Sequence, residues 1–504
     1  MSASQEKKSR IERLNDSRDK KLNAAAEQAK KDKKYKRNGI IAAVIVAIVI
    51  IGALVVNSNL FYTKSTALQI GDTKYSAAEV NCYYQMALNS TYNEFYQTYG
   101  DYVSYFLDPQ KPLSEQQYSE DQTWADYIYD VALQNMTQTT VLYDAAMKSG
   151  YQITEADQAE VENAISSMQV SATSYGYENL NAFLAANYGG KGMNEELYRS
   201  ILTKLVVAQS YGTQIQDSYT YTPDQLTAYY AEHADQFDVF SYEFFYIGTG
   251  DDAFVDLDET AQAAAAHDAA AEIAKAKTAD EFNATVAAYA GDDHVPNVSN
   301  TQGMSLSTLF SDWLCDAARA EGDATVVDTD TGSYAVLFLG RDNNDYALCD
   351  MRHILVNAEA DEEGNYTDEA RAAAKASAED IYAEWKEDPT EDHFAQLAAQ
   401  YSEDQSSIAY GGLYEDVFRH AMVPEIDAFL FDSGSKPGDT AVVYGNNGSY
   451  AGYHVVYYVG EGDLFCDQLA DAAMRAEDYS AYYEGAAAGY TAQEAFGMKF
   501  TDLD

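Results

Sequence analysis

An unbroken apolar run, GIIAAVIVAIVIIGALVV, fills residues 39–56 and carries neither a charge nor a proline. As a helix, its eighteen residues would reach roughly 27 Å, just short of a bilayer core of about 30 Å, and Leu60, Phe61 and Tyr62 extend the apolar contact. The basic segment KKDKKYKR lies directly before it. This pattern predicts a single-pass anchor over 39–59, with the basic tail 1–38 in the cytoplasm and everything after it outside. No A-x-A cleavage site and no nearby cysteine follow the run, which argues against a cleaved signal peptide and against a lipoprotein anchor.

From residue 75 to 237 the apolar positions recur at helical spacing and are rich in tyrosine, as in YYQMALNSTYNEFYQTY and WADYIYDVALQNMTQTTVLYDAAMKSG. The second stretch ends in Lys-Ser-Gly, a helix stop. Thr154 opens TEADQAEVENAI, and Thr222 opens TPDQLTAYYAEHADQF with Pro223 at the first helical position and Gln225 completing a capping box. Residues 60–237 are therefore expected to form an all-α module. Its aromatic stripes fit either a packed core or an exposed cradle for apolar segments.

Beyond 238 the chain repeats itself. TADEFNATVAAYA (278–290) matches TEDHFAQLAAQYS (390–402) at an offset of 112, and EGDATVVDTDTGSYA (321–335) matches PGDTAVVYGNNGSYA (437–451) at an offset of 116. Each copy opens on a strand, SYEFFYIG or MRHILV, passes through Ala-rich helices and closes on a strand, YAVLFLG or YHVVYYVG. The expected fold is α+β: two tandem domains of antiparallel sheet with helices, 238–344 and 345–463, and a C-terminal helical tail over 464–504.

Charge sharpens this division. Residues 1–38 hold 13 Lys/Arg against 6 Asp/Glu, a net of +7, so a total of −49 leaves −56 for the remainder. Such acidity excludes a phosphate-tracking nucleic-acid binder, which needs a basic footprint. The four cysteines (Cys82, Cys315, Cys349, Cys466) lie far apart with no C-x-x-C pair, so neither a disulfide scaffold nor a zinc module is expected. No histidine and carboxylate cluster has ligand spacing, and neither metal nor cofactor is expected. GTGDDA at 248–253 only superficially fits a dinucleotide loop, since Asp251 and Asp252 would repel a pyrophosphate.

Candidate chemistry lies in the second copy. His353 sits in its first strand and His454 in its last, and in an antiparallel sheet these strands can be neighbours; the corresponding strands of the first copy carry no histidine. Around them run RHILV, FAQLAAQYSEDQSS, the Gly-Gly-Leu at 411–413, AMVPEIDAFLF and GYHVV. Taken together, these segments resemble the parvulin (PpiC-like) peptidyl-prolyl cis/trans isomerases over about 349–460. The resemblance implies that His353 and His454 are that family's paired histidines, that Asp404 occupies its Cys-or-Asp position, and that Ser449 supplies a hydroxyl bound to the pair. It also implies that Leu413, Met422 and Phe431 line the proline pocket. Ile426 stands where most relatives carry an aromatic ring, so that pocket is expected to be looser. The segment after the first strand lacks the basic cluster that selects phosphorylated substrates. The first copy keeps Asp292 in register with Asp404 but has Phe and Tyr in place of the histidines, and reads as a catalytically silent copy.

The order of helical region, tandem copies and C-terminal helix resembles the SurA and PrsA-type extracytoplasmic foldases. That resemblance implies an isomerase and chaperone acting on unfolded secreted polypeptides with X-Pro bonds. A holdase without isomerase activity is the alternative; an acidic surface stalk is a third reading.

Overall fold

The structure, a computed structural model, describes residues 3–56, 59–291, 298–361, 364–446 and 450–503. The chain divides into two compact units, Met1–Ser218 with Asp478–Asp504, and Tyr219–Glu477.

In the first unit a continuous helix covers Ala3–Val56. Among the described residues no helix is long and apolar enough to cross a membrane. The anchor expected over 39–59 is therefore not carried by the described residues.

Helices Ala77–Tyr99, Trp124–Ser149 and Glu195–Ser218 build a core that includes Tyr75, Tyr83, Tyr84, Trp124 and Ile128. Ser76 with Glu79, Thr123 with Asp126 and Thr154 with Asp157 each form a reciprocal capping box, satisfying amides that a helix start leaves open. Gly150 ends the second helix at φ 83°, as Lys-Ser-Gly foretold. The tyrosine stripe is divided: Tyr83 and Tyr84 are buried, whereas Tyr96 and Tyr99 are 46% and 50% exposed.

This module is not all-α. Thr66–Ile70 and Thr73–Ser76 form a hairpin around Gly71, at φ 56°, and Ala492–Glu494 adds a third antiparallel strand. Glycine suits that turn because it adopts positive φ without strain.

The second unit opens on the helix Pro223–Glu232, capped by Thr222 and Gln225 as its sequence demanded. The first copy follows: β1 (Val239–Gly248), α1 (Glu259–Ile273), α2 (Ala279–Ala290), β2 (Ser299–Gln302), β3 (Ala324–Thr329) and β4 (Gly332–Asp342). The second copy comprises β5 (Ala347–Asn357), α3 (Asp368–Trp385), α4 (Glu391–Tyr401), β6 (Leu413–Val417), β7 (Thr440–Asn446) and β8 (Ala451–Leu464). Both sheets are antiparallel with the same order, β2-β1-β4-β3 and β6-β5-β8-β7. The sequence repeat is a structural repeat.

In the second copy, alternation along β5 and β8 separates two faces. Ile354, Val356, Tyr453 and Val455 pack against Ala378, Trp385, Phe394 and Leu397 of α3 and α4. Phe394, fully buried there, is worth about 3–5 kcal/mol relative to alanine. His353 and His454 occupy the opposite face.

Candidate active site

Antiparallel pairing of β5 with β8 places His353 opposite Val456 and His454 opposite Leu355. The imidazoles are therefore diagonal neighbours on one face. Their Nδ1 atoms are 3.3 Å apart, with ring centroids at 5.4 Å and planes inclined by 24°. Both rings are buried, His353 at 6% exposure and His454 at 2%.

Asp404 joins them from the loop after α4. One of its oxygens accepts from His353 Nε2 at 2.9 Å, from Tyr414 Oη at 3.0 Å and from the Ser407 hydroxyl. The other accepts from the Ser406 amide at 3.2 Å and its hydroxyl at 2.6 Å. The His353 hydrogen bond, backed by Ser406, Ser407 and Tyr414, holds this carboxyl far below the usual range against the opposing effect of burial. Asp404 is an anion at any working pH. His454 moves the other way from ordinary histidine: burial, with His353 adding and Asp404 opposing, pushes it down to about 4. At neutral pH that ring is uncharged.

Backbone geometry explains why the loop arrives here. Ser402 Oγ accepts from the amides of Leu355, at 3.2 Å, and Asp404, at 3.3 Å, tying the end of α4 to β5. The Gly-Gly turn is forced by crowding. Gly411 and Gly412 have φ of 65° and 74°, and a Cβ on Gly412 would stand 2.3 Å from the His353 carbonyl oxygen. That closeness lets the His353 amide donate to Gly412 O at 2.9 Å. Arg352 braces the same turn through the carbonyls of Tyr410 and Gly411, at 2.8 and 2.9 Å.

Below the histidines lies an apolar cluster of Cys349, Met351, Val417, Ile426, Leu430, Val456 and Tyr458. Met422 and Phe431 are half-buried against it, and Ile426 is 1% exposed within it. Leu413 is not part of this cluster; its neighbour Tyr414 is. Tyr414 pairs with Met351 across the β5–β6 ladder and sets its ring edge-on to His353 at 5.3 Å. Ser449 lies outside the described residues. The next residue, Tyr450, brings its hydroxyl to 3.1 Å from His454 Nε2.

Sequence reasoning passed over Tyr414, Ser406, Ser407, Tyr450 and Gly445. Ser406 and Ser407 close the segment FAQLAAQYSEDQSS, and their hydroxyls two and three residues after Asp404 were a usable signal. Gly445 on β7 carries none: a Cβ there would lie 2.6 Å from His454 Nε2 and 3.0 Å from a Val423 methyl. Gly445→Ala is expected to displace the His454 ring and cost about 1–3 kcal/mol. Urea denaturation checks this; an unchanged midpoint would mean that the ring has room to yield.

In the first copy the corresponding face is filled by Phe240, Tyr242, Phe310, Val336 and Phe338. Phe338 stands 116 residues before His454, so a packed aromatic core replaces the polar pair. Asp292 lies outside the described residues. All four cysteines are free thiols. Among the described residues no group of three or more His, Cys, Asp or Glu could hold a metal ion.

Residues 353–459 match the family Rotamase, described as PPIC-type PPIASE domain. No curated protein matches the chain. Among solved structures, it is similar to the peptidylprolyl isomerase PrsA of Bacillus anthracis, with 19% identity over 29% of this chain and 58% of that one, TM-score 0.18. It is also similar to the foldase protein PrsA of Streptococcus pneumoniae, with 11% identity over 70% of this chain and 80% of that one, TM-score 0.25. PrsA of Bacillus subtilis is similar at 15% identity over 63% of this chain and 90% of that one, TM-score 0.18. Likenesses this faint say nothing of what the chain acts on. The segment 353–459 is a parvulin-type peptidyl-prolyl isomerase domain.

Proposed function

We propose that this chain is a membrane-anchored, extracytoplasmic prolyl isomerase and chaperone that assists the folding of secreted polypeptides. The observation that carries the reading is the buried pair of His353 and His454, tied to ionised Asp404 above an apolar cluster. Cis/trans isomerisation breaks no bond, yet its barrier is about 18–20 kcal/mol because the planar amide is resonance-stabilised. Twisting removes the resonance and its charge separation, so an apolar surround destabilises the planar ground state more than the twisted one. Met422, Ile426 and Phe431 supply that surround. The two imidazoles form its hydrogen-bonded floor, His454 uncharged, and Asp404 fixes the orientation of His353 and places negative charge beside it. A thousandfold acceleration asks about 4 kcal/mol of this arrangement.

The anchor is supported by the apolar run 39–56 and the basic segment before it, and the extracytoplasmic placement by the orientation that such a flank imposes. A client-binding role for the helical unit is supported by its exposed tyrosines, among them Tyr96, Tyr99, Tyr102 and Tyr105, amphipathic rings suited to unfolded segments.

Refolding of a denatured protein whose slow phase is limited by prolyl isomerisation tests the reading. The full chain is expected to accelerate that phase at substoichiometric amounts, and His353→Ala to abolish most of the acceleration. An unaltered slow phase with reduced aggregation would instead identify a holdase.

A further inference from the structure

We propose that the cavity between the two copies is a second client subsite, which takes a tryptophan side chain lying a few residues from the proline that is turned over. The inference rests on the isomerase reading and names a polypeptide contact that this reading leaves open. The cavity lies wholly within the second unit and encloses about 430 Å³, inside the range of roughly 300–1,000 Å³ that ligand pockets occupy.

Both copies build it. The first contributes Val239 and Ser241 of β1 with Gln302 and Asn300 of β2, paired across the ladder in that order, so alternation puts all four on one face. The second contributes Phe418, Arg419 and His420, which follow directly on β6, and Phe465 at the start of the helix Phe465–Ala487. Asn344, in the link between the copies, lines the cavity too, and its carbonyl oxygen accepts from the Cys466 amide at 3.0 Å.

Three observations point to an occupant. Phe418 stacks on Phe465, with centroids 5.1 Å apart and planes inclined by 6°, yet Phe418 is 45% exposed, so the stack is open to a further ring. Asn344 is 1% exposed; its Nδ2 donates to Tyr230 Oη and Phe237 O, both at 2.9 Å, while its Oδ1 has no hydrogen-bond partner. A buried acceptor in that state calls for a donor. Among the described residues, three other than glycine have positive φ, and two of them, Asn344 at 56° and His420 at 66°, line this cavity; backbone strain of this kind collects at ligand clamps. The permanent charges on the wall are already engaged, Arg419 with Asp432 at 3.0 Å and Asp342 with the Asn344 amide at 2.8 Å. An uncharged flat ring bearing one N–H, the indole of tryptophan, satisfies all of these.

The cavity and the proline pocket share a loop. Met422, four residues after Phe418, packs against the apolar cluster of the site, and the His420 amide donates to Asp427 Oδ1 at 2.7 Å, fastening the loop beside Ile426. Four extended residues span at most roughly 14 Å, so a client needs only a comparably short stretch between tryptophan and proline. Tethering then makes the second contact intramolecular. Binding shared by ground and transition states lowers KM and leaves kcat alone.

The test compares X-Pro peptides carrying tryptophan four residues before or after the proline with their leucine counterparts, using the full chain. One of the two placements is expected to lower KM about tenfold with kcat nearly unchanged, and calorimetry is expected to show binding tightened to match. Ser241→Phe, which fills the cavity from the first copy, should erase the tryptophan advantage and leave turnover of the leucine peptide as it was. If that variant fails to fold, Phe418→Ala, at an exposed position, removes the stack and should do the same. Equal KM for tryptophan and leucine peptides at both placements would overturn the proposal, and so would a tryptophan advantage that persists in either folded variant. Failure of the isomerase reading looks different: no peptide is turned over, while calorimetry still shows tryptophan-dependent binding that Ser241→Phe removes.

Discussion

Asp404→Ala is expected to lower isomerase kcat/KM by at least tenfold and to destabilise the domain by about 3–5 kcal/mol. The carboxylate receives hydrogen bonds from His353, Tyr414, Ser406 and Ser407. Removing it strands three buried or half-buried donors, His353, Ser407 and Tyr414, each of which costs roughly 1–3 kcal/mol when unsatisfied, whereas exposed Ser406 turns to water. It also frees His353 to turn away from His454, so the floor beneath the substrate loses its shape. Asp404→Asn keeps the volume and separates the two effects: packing survives, but an amide cannot accept everything a carboxylate does. The asparagine chain should therefore recover part of the stability and little of the rate. Urea denaturation read beside peptide isomerisation checks both; equal recovery of both would reduce Asp404 to a structural residue.

The second large effect is on stability as pH falls, and its sign follows from where each proton binds. His454 titrates at about 4 in the folded chain against an ordinary 6.5. Between those values the unfolded chain holds a proton that the folded chain refuses. Stability therefore drops by about 1.4 kcal/mol per pH unit over that window, about 3 kcal/mol in all. Asp404, held far below the ordinary carboxylate value of 3.8, acts lower down. Its contribution is complete above that value and is lost as pH falls toward its folded pKa. His267 is raised by its hydrogen bond to Asp328 and works with the opposite sign, but it is solvent-exposed and its effect is screened. His454→Gln should flatten the loss between pH 6.5 and 4 while leaving the fall that Asp404 causes below it. Denaturation midpoints at three pH values measure this; parallel profiles for both chains would show that another group carries the slope.

Much of this arrangement could be read from the chain because its signals are local or repeated. The capping residues Thr154 and Thr222, the stop at Gly150 and the offsets between the two copies each depend on a few adjacent positions. That the strands of His353 and His454 can be neighbours was legible from antiparallel order, and the pairing of β5 with β8 makes them so. Tyr414 was harder, since a one-residue change of phase along a strand exchanges its faces, and β6 carries an irregularity between Tyr414 and Val417. Tyr450 gave no signal in a chain with 43 tyrosines. The pairing of Ala492–Glu494 with Thr66–Ile70 joins segments more than 400 residues apart, and no periodicity announces such a contact. The first copy shows the converse: its sheet order survives although Phe338 stands where a histidine would be needed, because the fold depends on alternation and the chemistry on two particular side chains.

Exchange NMR on a short unphosphorylated X-Pro peptide, with the full chain present at catalytic amounts, measures interconversion of the two isomers directly. Cis/trans exchange raised well above its spontaneous rate, and returned close to that rate by His353→Ala in a chain that remains folded, is the expected result. Exchange unchanged by the folded native chain, or acceleration that survives the loss of His353, would contradict a prolyl isomerase built on the buried histidine pair.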